Sequence, residues 1–588
     1  MSGPSTIIPG HKKLSRPSFT VLVEGEDVTM KYGIVSVMVN KQVNRVPLAE
    51  VVLYDGSSAK QDFKLSDKAT LLPGKKVTIK AGYAQDEKKV FEGIIIKHSI
   101  KAPLKAASTL MIELKDKSIK STINRKNKYF ENKTDTDIIG DVLADLKGDV
   151  DVTTTMHKEM VQYYCTDWDF VCSRAEANGM LIFVDDGKVN VKKPVFALKG
   201  DSLNLTYGNN IVDVEAEMDA RDQYGDVKAF DWDYSKQEVV EKKGTPPVMP
   251  LEEGNVTGKK LSDVLGTSEY HLQTPGKLQD SELTAWASAK LLLSRMAKIK
   301  GRVRIYGTNV IKPGDVINLG GLGDRFNGPA FVSGVTHSFS VNSTWYTDIN
   351  FGYSSEWFYE KYDNIVDKGS AGLLPAVNGL VTGIVTDIVD QEGGEFRVRV
   401  RVPLIDKGDK GVWARIVSAD AGNGRGILIR PEVDDEVILG FVNDDPRDPV
   451  ILGMLYSKKN KVPDDFKPTK ENKIKGWLTK SKIEFIIDDD KKIVTVKTPG
   501  KNSIIISDDA KSITLEDQNK NKIVMDDKGI TIDTPKKLTL KATDDIVIEG
   551  KKNITAKATS QFKATGNSGM EVSSSGTATL KGSIVKIN

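Results

Sequence analysis

From Ile530 onward, apolar residues recur every eight positions: Ile530, Leu538, Ile546, Ile554, Phe562, Met570 and Ala578. A second register runs two residues behind it: Ile532, Leu540, Ile548, Ala556, Ala564, Val572 and Leu580. Apolar residues at i and i+2, as a rule with a polar residue between, describe a short strand with one buried face. Turn formers separate the pairs: Thr534-Pro535, Gly550, Gly566-Asn567, Ser573 to Gly576, and Gly582. Upstream the spacing loosens but the kind persists, at Ile483/Phe485, Ile493/Val494, Ile504/Ile506, Ile513/Leu515 and Ile523/Met525.

A fixed period means a repeat architecture. One octad cannot bury its own face. A triangular coil built by a single chain needs three octads per turn, which leaves only two or three poorly covered coils. Three chains winding about one axis remove the difficulty, because each supplies one side of every layer. Some thirteen or fourteen strands per chain, stacked about 4.8 Å apart, predict a prism on the order of 60–65 Å long. The repeat alone fits a membrane-piercing needle and a trimeric stalk equally. The inward residues shrink toward Ala556, Ala564 and Ala578, which predicts a prism that narrows toward its C-terminal end.

The rest of the 588-residue chain reads as mainly β, and its length suits about three to five domains. Strand-like runs include Phe19–Val23, Gly33–Val39, Lys76–Lys80 and Phe91–Ile96, and later Arg302–Tyr306, Phe331–Val335 and Trp345–Ile349. Helices are expected after Thr134-Asp135-Thr136-Asp137, from Thr166 or Asp167 to Asn178-Gly179, and over Leu283–Lys298. Phe396 to Val402 alternates with period two, placing Phe396, Val398, Val400 and Val402 on a buried face and Arg397, Arg399 and Arg401 on the other. A Gly/Ala-rich linker precedes this region and a Lys-rich one, with Pro463 and Pro468, follows it. Together with Val437–Val442 and Pro449–Gly453, the run suits a small OB-type barrel.

Eighty-four basic and eighty-one acidic residues nearly cancel, so no global field points to nucleic acid. The two cysteines, Cys165 and Cys172, are too far apart along a helix to bridge and read as thiols of a reducing compartment. Met1 to His11 has no apolar core, so no secretory signal is expected. No run of about 18 apolar residues is present to span a bilayer as a helix.

Four stretches resemble the VgrG-like spikes of contractile injection systems, a fusion of a phage tail hub with a phage tail spike. Thr166-Asp167-Trp168-Asp169-Phe170-Val171 with Arg174, Glu176 and Asn178-Gly179 is similar to a helix of the hub. Thr206-Tyr207-Gly208 through Arg221-Asp222-Gln223-Tyr224 is similar to the start of the second hub barrel, and Pro313-Gly314-Asp315 through Val335-Thr336-His337 to its end. Pro431 to Val437, with Asp445-Pro446, Pro449-Val450 and Gly453, resembles the OB domain of the spike. That family often carries Gly where Asp434 stands and near Asp444, so this loop is expected to be shaped differently. The phage spike's lysozyme domain has no counterpart in the short linker, and no effector extension is expected after Asn588.

The resemblance implies an N-terminal arm (1–17), a first hub-like β-barrel (18–130), a mixed α/β insertion (131–200), a second hub-like β-barrel (201–368), a linker (369–378), an OB-fold collar (379–457), a linker (458–480) and an intertwined trimeric β-helix or β-prism needle (481–588). It implies a homotrimer that adapts a sixfold tail tube to a threefold needle and punctures a target membrane during effector delivery. The hub barrels would meet tail-tube and baseplate proteins. A PAAR-like tip protein would sit at Ile584, Val585 and Ile587, with effector cargo a further candidate partner and the target membrane met only transiently. Assembly in the cytoplasm without a signal peptide, then delivery or release with the injection particle, is expected. A trimeric stalk or receptor-binding fibre is the alternative, and a baseplate cell-wall hydrolase the third reading.

Residue chemistry points away from catalysis, cofactors and metals. His11, His98, His157, His271 and His337 are scattered, and no GxSxG elbow accompanies them. Asp488-Asp489-Asp490 reads as a solvated turn and Gly320 to Gly323 as a turn rather than a phosphate cradle. Arg397, Arg399 and Arg401 beside Trp413 make a basic stripe, but Phe396 is expected inside, so a single-strand platform is not favoured. The arginines are expected to face acidic groups of a neighbouring subunit, such as Asp434, Asp435 and Glu436.

Overall fold

The computed structural model describes residues 16–83, 86–250, 252–340, 343–390 and 394–587. His11 and all but the last two residues of the expected N-terminal arm lie outside them, as does Asn588. The chain divides into two compact units, one of residues up to Val377 with Asn443–Pro446, the other of Asn378–Val442 with Arg447 onward.

In the first unit, alternation of apolar and polar residues makes strands with one buried face. Leu48–Tyr54, for example, buries Ala49, Val51 and Leu53 and turns its other residues outward. Strands from both hub-like regions join one thirteen-stranded sheet, while Asp226–Asp233, Glu238–Lys243 and Glu269–Gln273 of the second form a separate three-stranded sheet. The junction is the antiparallel pair Ile34–Gln42 and Gly328–Ser340, in which Val39 faces His337. Two cores pack on this sheet. One gathers Val21, Ile79, Phe91, Leu110 and Ile112, with Phe339 and Trp345 reaching in from far along the chain. The other gathers Leu205, Val303, Ile317, Val332 and Ile349.

The insertion forms a third core around two helices. The Asp135–Leu143 helix starts from a capping box in which the Thr134 hydroxyl accepts from Asp137 N and the Asp137 carboxylate accepts from Thr134 N. The Asp167–Ala177 helix is capped by Thr166 and stops at Asn178. Gly179 then takes φ 67°, the left-handed turn that a glycine makes without strain. The helix expected over Leu283–Lys298 spans Asp280–Met296; it begins a turn earlier because Asp280 and Glu282 favour the positive end of the helix dipole. Cys165 ends a strand and Cys172 lies buried in a helix, and both are free.

In the second unit, five strands close a barrel in the order Val381–Asp387, Val398–Arg401, Val412–Ile416, Pro449–Met454 and Glu436–Phe441. Val385, Val398, Val400, Ala414, Val437, Leu439 and Ile451 fill it. Phe396 departs from the expected alternation. It takes φ 57° before the strand begins and is 76% exposed, so the period-two run starts only at Val398. Asp434 adopts φ 73° and Asp444 φ 56°, so both hold the left-handed conformation that glycine would supply.

Seven antiparallel strands follow, from Ile474–Leu478 to Gly529–Asp533. The first of them lies inside the 458–480 stretch expected to be linker. Residues 534–587, the strict octads, form no ladder within the chain.

Candidate functional site

The seven-stranded meander presents two apolar columns on one face. Cross-strand partners Phe485, Val496, Ile504, Leu515, Ile523 and Ile532 make one, and Ile487, Val494, Ile506, Ile513, Met525 and Ile530 the other. Between them, on the opposite face, runs Ile486, Thr495, Ile505, Thr514, Val524 and Thr531, β-branched residues that suit a half-exposed pleat. Two expected pairs are corrected. Ile483 precedes its strand, and Ile493 pairs with Asp488 and Ser507 on the opposite face, so Phe485/Ile487 and Val494/Val496 are the inward pairs. The strands here are hairpin-connected through loops of unequal length, which is why the upstream spacing is loose.

Past Asp533 the same two-residue rhythm continues without in-chain pairing. Bends fall at 535–536, 543–544, 551–552, 559–560, 567–568, 575–576 and 583–584, each eight residues after the last. The backbone between them makes no backbone–backbone hydrogen bond within the described chain. The larger apolar residues of the two registers, from Ile530 and Ile532 to Leu580, are 52–82% exposed, and Ala556, Ala564 and Ala578 are exposed with them. Each Leu or Ile left in water forgoes about 1.5–3 kcal/mol of burial. A cleft of about 550 Å3 follows the first column, with Ile504, Leu515, Ile532 and Leu538 among its walls. Ile584, Val585 and Ile587 are exposed at the far end of the octads.

The arginine stripe finds most of its partners inside the barrel. Arg397 Nε donates to Asp390 at 2.8 Å, and Arg399 Nε donates to the Gly411 carbonyl at 3.1 Å while lying over Trp413. Asp435 accepts from the Glu432 amide. Of the three, Arg401 keeps a buried Nε with no hydrogen-bond partner among the described residues. Asp489 and Asp490 pair with Lys475 and Lys473 on the neighbouring strand, at the turn after Asp488.

The first unit holds one cluster that has the look of acid–base chemistry and was not legible in sequence. His157 Nε2 lies 3.0 Å from Asp135 Oδ2, and its Nδ1 lies 3.7 Å from Glu282. Arg174 grips Asp135 and reaches Glu282 at 3.0 Å, and Asn178 Nδ2 donates to Asp135 at 2.9 Å. Burial pushes the Asp135 carboxyl up, but the bonds from His157, Arg174 and Asn178 outweigh it and hold the group well below the usual carboxylate range. With both oxygens of Asp135 occupied, the cluster ties the two insertion helices to the Asp280–Met296 helix rather than activating a nucleophile. His337 is buried, bonded to Thr347 Oγ1 at 3.1 Å, and burial lowers its pKa to about 3, so it stays neutral.

Three family models divide the chain. Residues 13–340 match the Alg8 N-terminal domain, 381–456 the type VI secretion system/phage-baseplate injector OB domain, and 492–588 the phage baseplate V C-terminal trimerisation domain. The type VI secretion system spike proteins VgrG4b and VgrG1b of Pseudomonas aeruginosa are 33% and 30% identical over 96 and 97 residues. Those alignments take in 15% of this chain and only 12% and 13% of the relatives' own lengths. The E. coli c3393 protein, described as a type VI secretion component similar to the T4 tail proteins gp27 and gp5, is 12% identical with TM-score 0.37 over 74% of this chain and 99% of that one. A chain of the Francisella PdpA-VgrG complex is 12% identical with TM-score 0.37, over 89% of this chain and 80% of that one. With its longest match covering more than half its length, the chain belongs to the Alg8 N-terminal domain family, and the injector OB and trimerisation domains behind that region support its likeness to the VgrG-like spikes of the type VI secretion and phage-baseplate kind.

Proposed function

We propose that the protein works as a homotrimer whose octads wind with those of two other copies into a needle that pierces a target membrane. The observation that carries this reading is the stretch 534–587, regular in its eight-residue bends yet without in-chain ladder partners for its backbone or cover for its apolar pairs. Backbone polar groups and aliphatic side chains in so regular a path call for partners. Two further copies supply both at once, since each layer then closes on three inward pairs. A closed prism has no free lateral edge, and it is stiff and thin, as a puncturing tip must be.

In this reading residues 18–368 adapt a sixfold tube to the threefold needle and meet baseplate proteins, and the OB barrel forms a collar. Ile584, Val585 and Ile587 receive a PAAR-like tip protein. The chain has a mechanical role and no catalytic one, is assembled in the cytoplasm, and leaves it with the injection particle. The needle narrows where Ala556, Ala564 and Ala578 replace larger residues. Electron microscopy of the purified protein tests this: threefold particles bearing one tapering rod are expected. Particles without a rod contradict the needle, and a rod of constant width contradicts the taper.

A further inference from the structure

A cavity of about 270 Å3 in the first unit is walled by residues of four sheet strands and by the short Phe358–Lys361 helix. Its charged walls are Arg45, Lys300 and Lys361, and no Asp or Glu lines it. Three cations thus line it with no carboxylate among them, in a chain whose charges nearly balance overall. The guanidinium of Arg45 has neither a hydrogen bond nor an ion pair among the described residues. Lys361 Nζ lies over the Tyr353 ring, 4.6 Å from its centroid, and makes no hydrogen bond or ion pair among the described residues. Lys300 has one loose partner, Glu217, at 3.5 Å. Gln42 and Asn350 add amide side chains, and Tyr353 and Tyr362 supply aromatic walls. Burial pulls the Lys361 pKa down; Glu176, Glu356 and Glu360 oppose that from outside the cavity, and Arg45 adds to it.

From this geometry we infer that the cavity is a binding site for a small oxyanion, a carboxylate or a phosphate, held by Arg45 and Lys361 against the tyrosine walls. A guanidinium offers two parallel donors to either group, and an ammonium supplies a point charge beside them. A bound anion separates the like charges of Arg45 and Lys361 and replaces the water that burial removes from Lys361. The site is independent of the needle, since it is built by the first unit alone.

Equilibrium dialysis of the full-length protein against labelled citrate and labelled inorganic phosphate, at constant ionic strength, tests the assignment. Saturable binding at one site per chain is expected for at least one probe, and the tighter of the two identifies the source as carboxylate or phosphate. Arg45→Ala, an exposed position whose loss leaves the fold intact, is expected to weaken that binding about tenfold, as is Lys361→Met. Absence of saturable binding by both probes, or unchanged affinity in both variants, overturns the proposal.

Discussion

Arg174 clamps Asp135 through two prongs, its Nε donating to Oδ1 at 2.7 Å and its Nη2 to Oδ2 at 2.9 Å. Asp135 is buried, so loss of the clamp strands a carboxylate away from water. Arg174→Met is expected to cost about 3–5 kcal/mol, read as a lowered unfolding midpoint, because one partner of a buried pair is left uncompensated. Arg174→Lys recovers only part of this, since an ammonium cannot fork across two oxygens. The folded pKa of Asp135 lies below its usual 3.8, so the clamp contributes fully above that pH and fades as pH falls beneath it. An Arg174→Met variant as stable as the parent contradicts the strut.

Glu253 behaves in the opposite sense. Burial raises its pKa to about 8 against the opposing charge of Lys298, and its Oε1 has no hydrogen-bond partner. The folded state therefore holds a proton that the unfolded chain releases above the usual 4.5. Stability is expected to fall as pH rises between those values, by about 1.4 kcal/mol per pH unit at most. Glu253→Gln removes that slope, and denaturation midpoints at pH 5 and about pH 8 should converge relative to the parent. An unchanged slope contradicts the assignment.

Ile548 and Val547 are neighbours of similar size and exposure, yet only Ile548 belongs to the octad registers. Ile548→Lys is expected to destabilise the needle by about 2–5 kcal/mol per chain, while Val547→Lys leaves it nearly unchanged. Limited proteolysis of the C-terminal region distinguishes them: rapid loss in the first variant only is expected, and equal resistance contradicts the inward assignment.

Local signals in the sequence were enough for the helix capped by Thr134 and Asp137, for the stop at Gly179, and for the strict octads. Each depends on residues within one or two turns of chain. The pairing of Val39 with His337 depends on residues far apart in sequence, and no local pattern announces it. The same distance hid the cluster of Asp135, His157, Arg174 and Glu282, contributed by four separate elements. Phe396 misled because alternation in sequence continues through a residue whose backbone has already left the strand. Ile493 misled because a turn of unequal length precedes it. The change from loose spacing to a period of eight after Ile530 was visible, and it coincides with the end of in-chain pairing.

The apolar face of residues 530–580 is expected to be a three-chain core. Light scattering of the full-length protein after gel filtration tests it most directly. The chain mass is 64.5 kDa, so a trimer weighs 3 × 64.5 ≈ 194 kDa. A single species of that mass, persisting in mild detergent, is the predicted result; a folded monomer of 64.5 kDa would contradict the account.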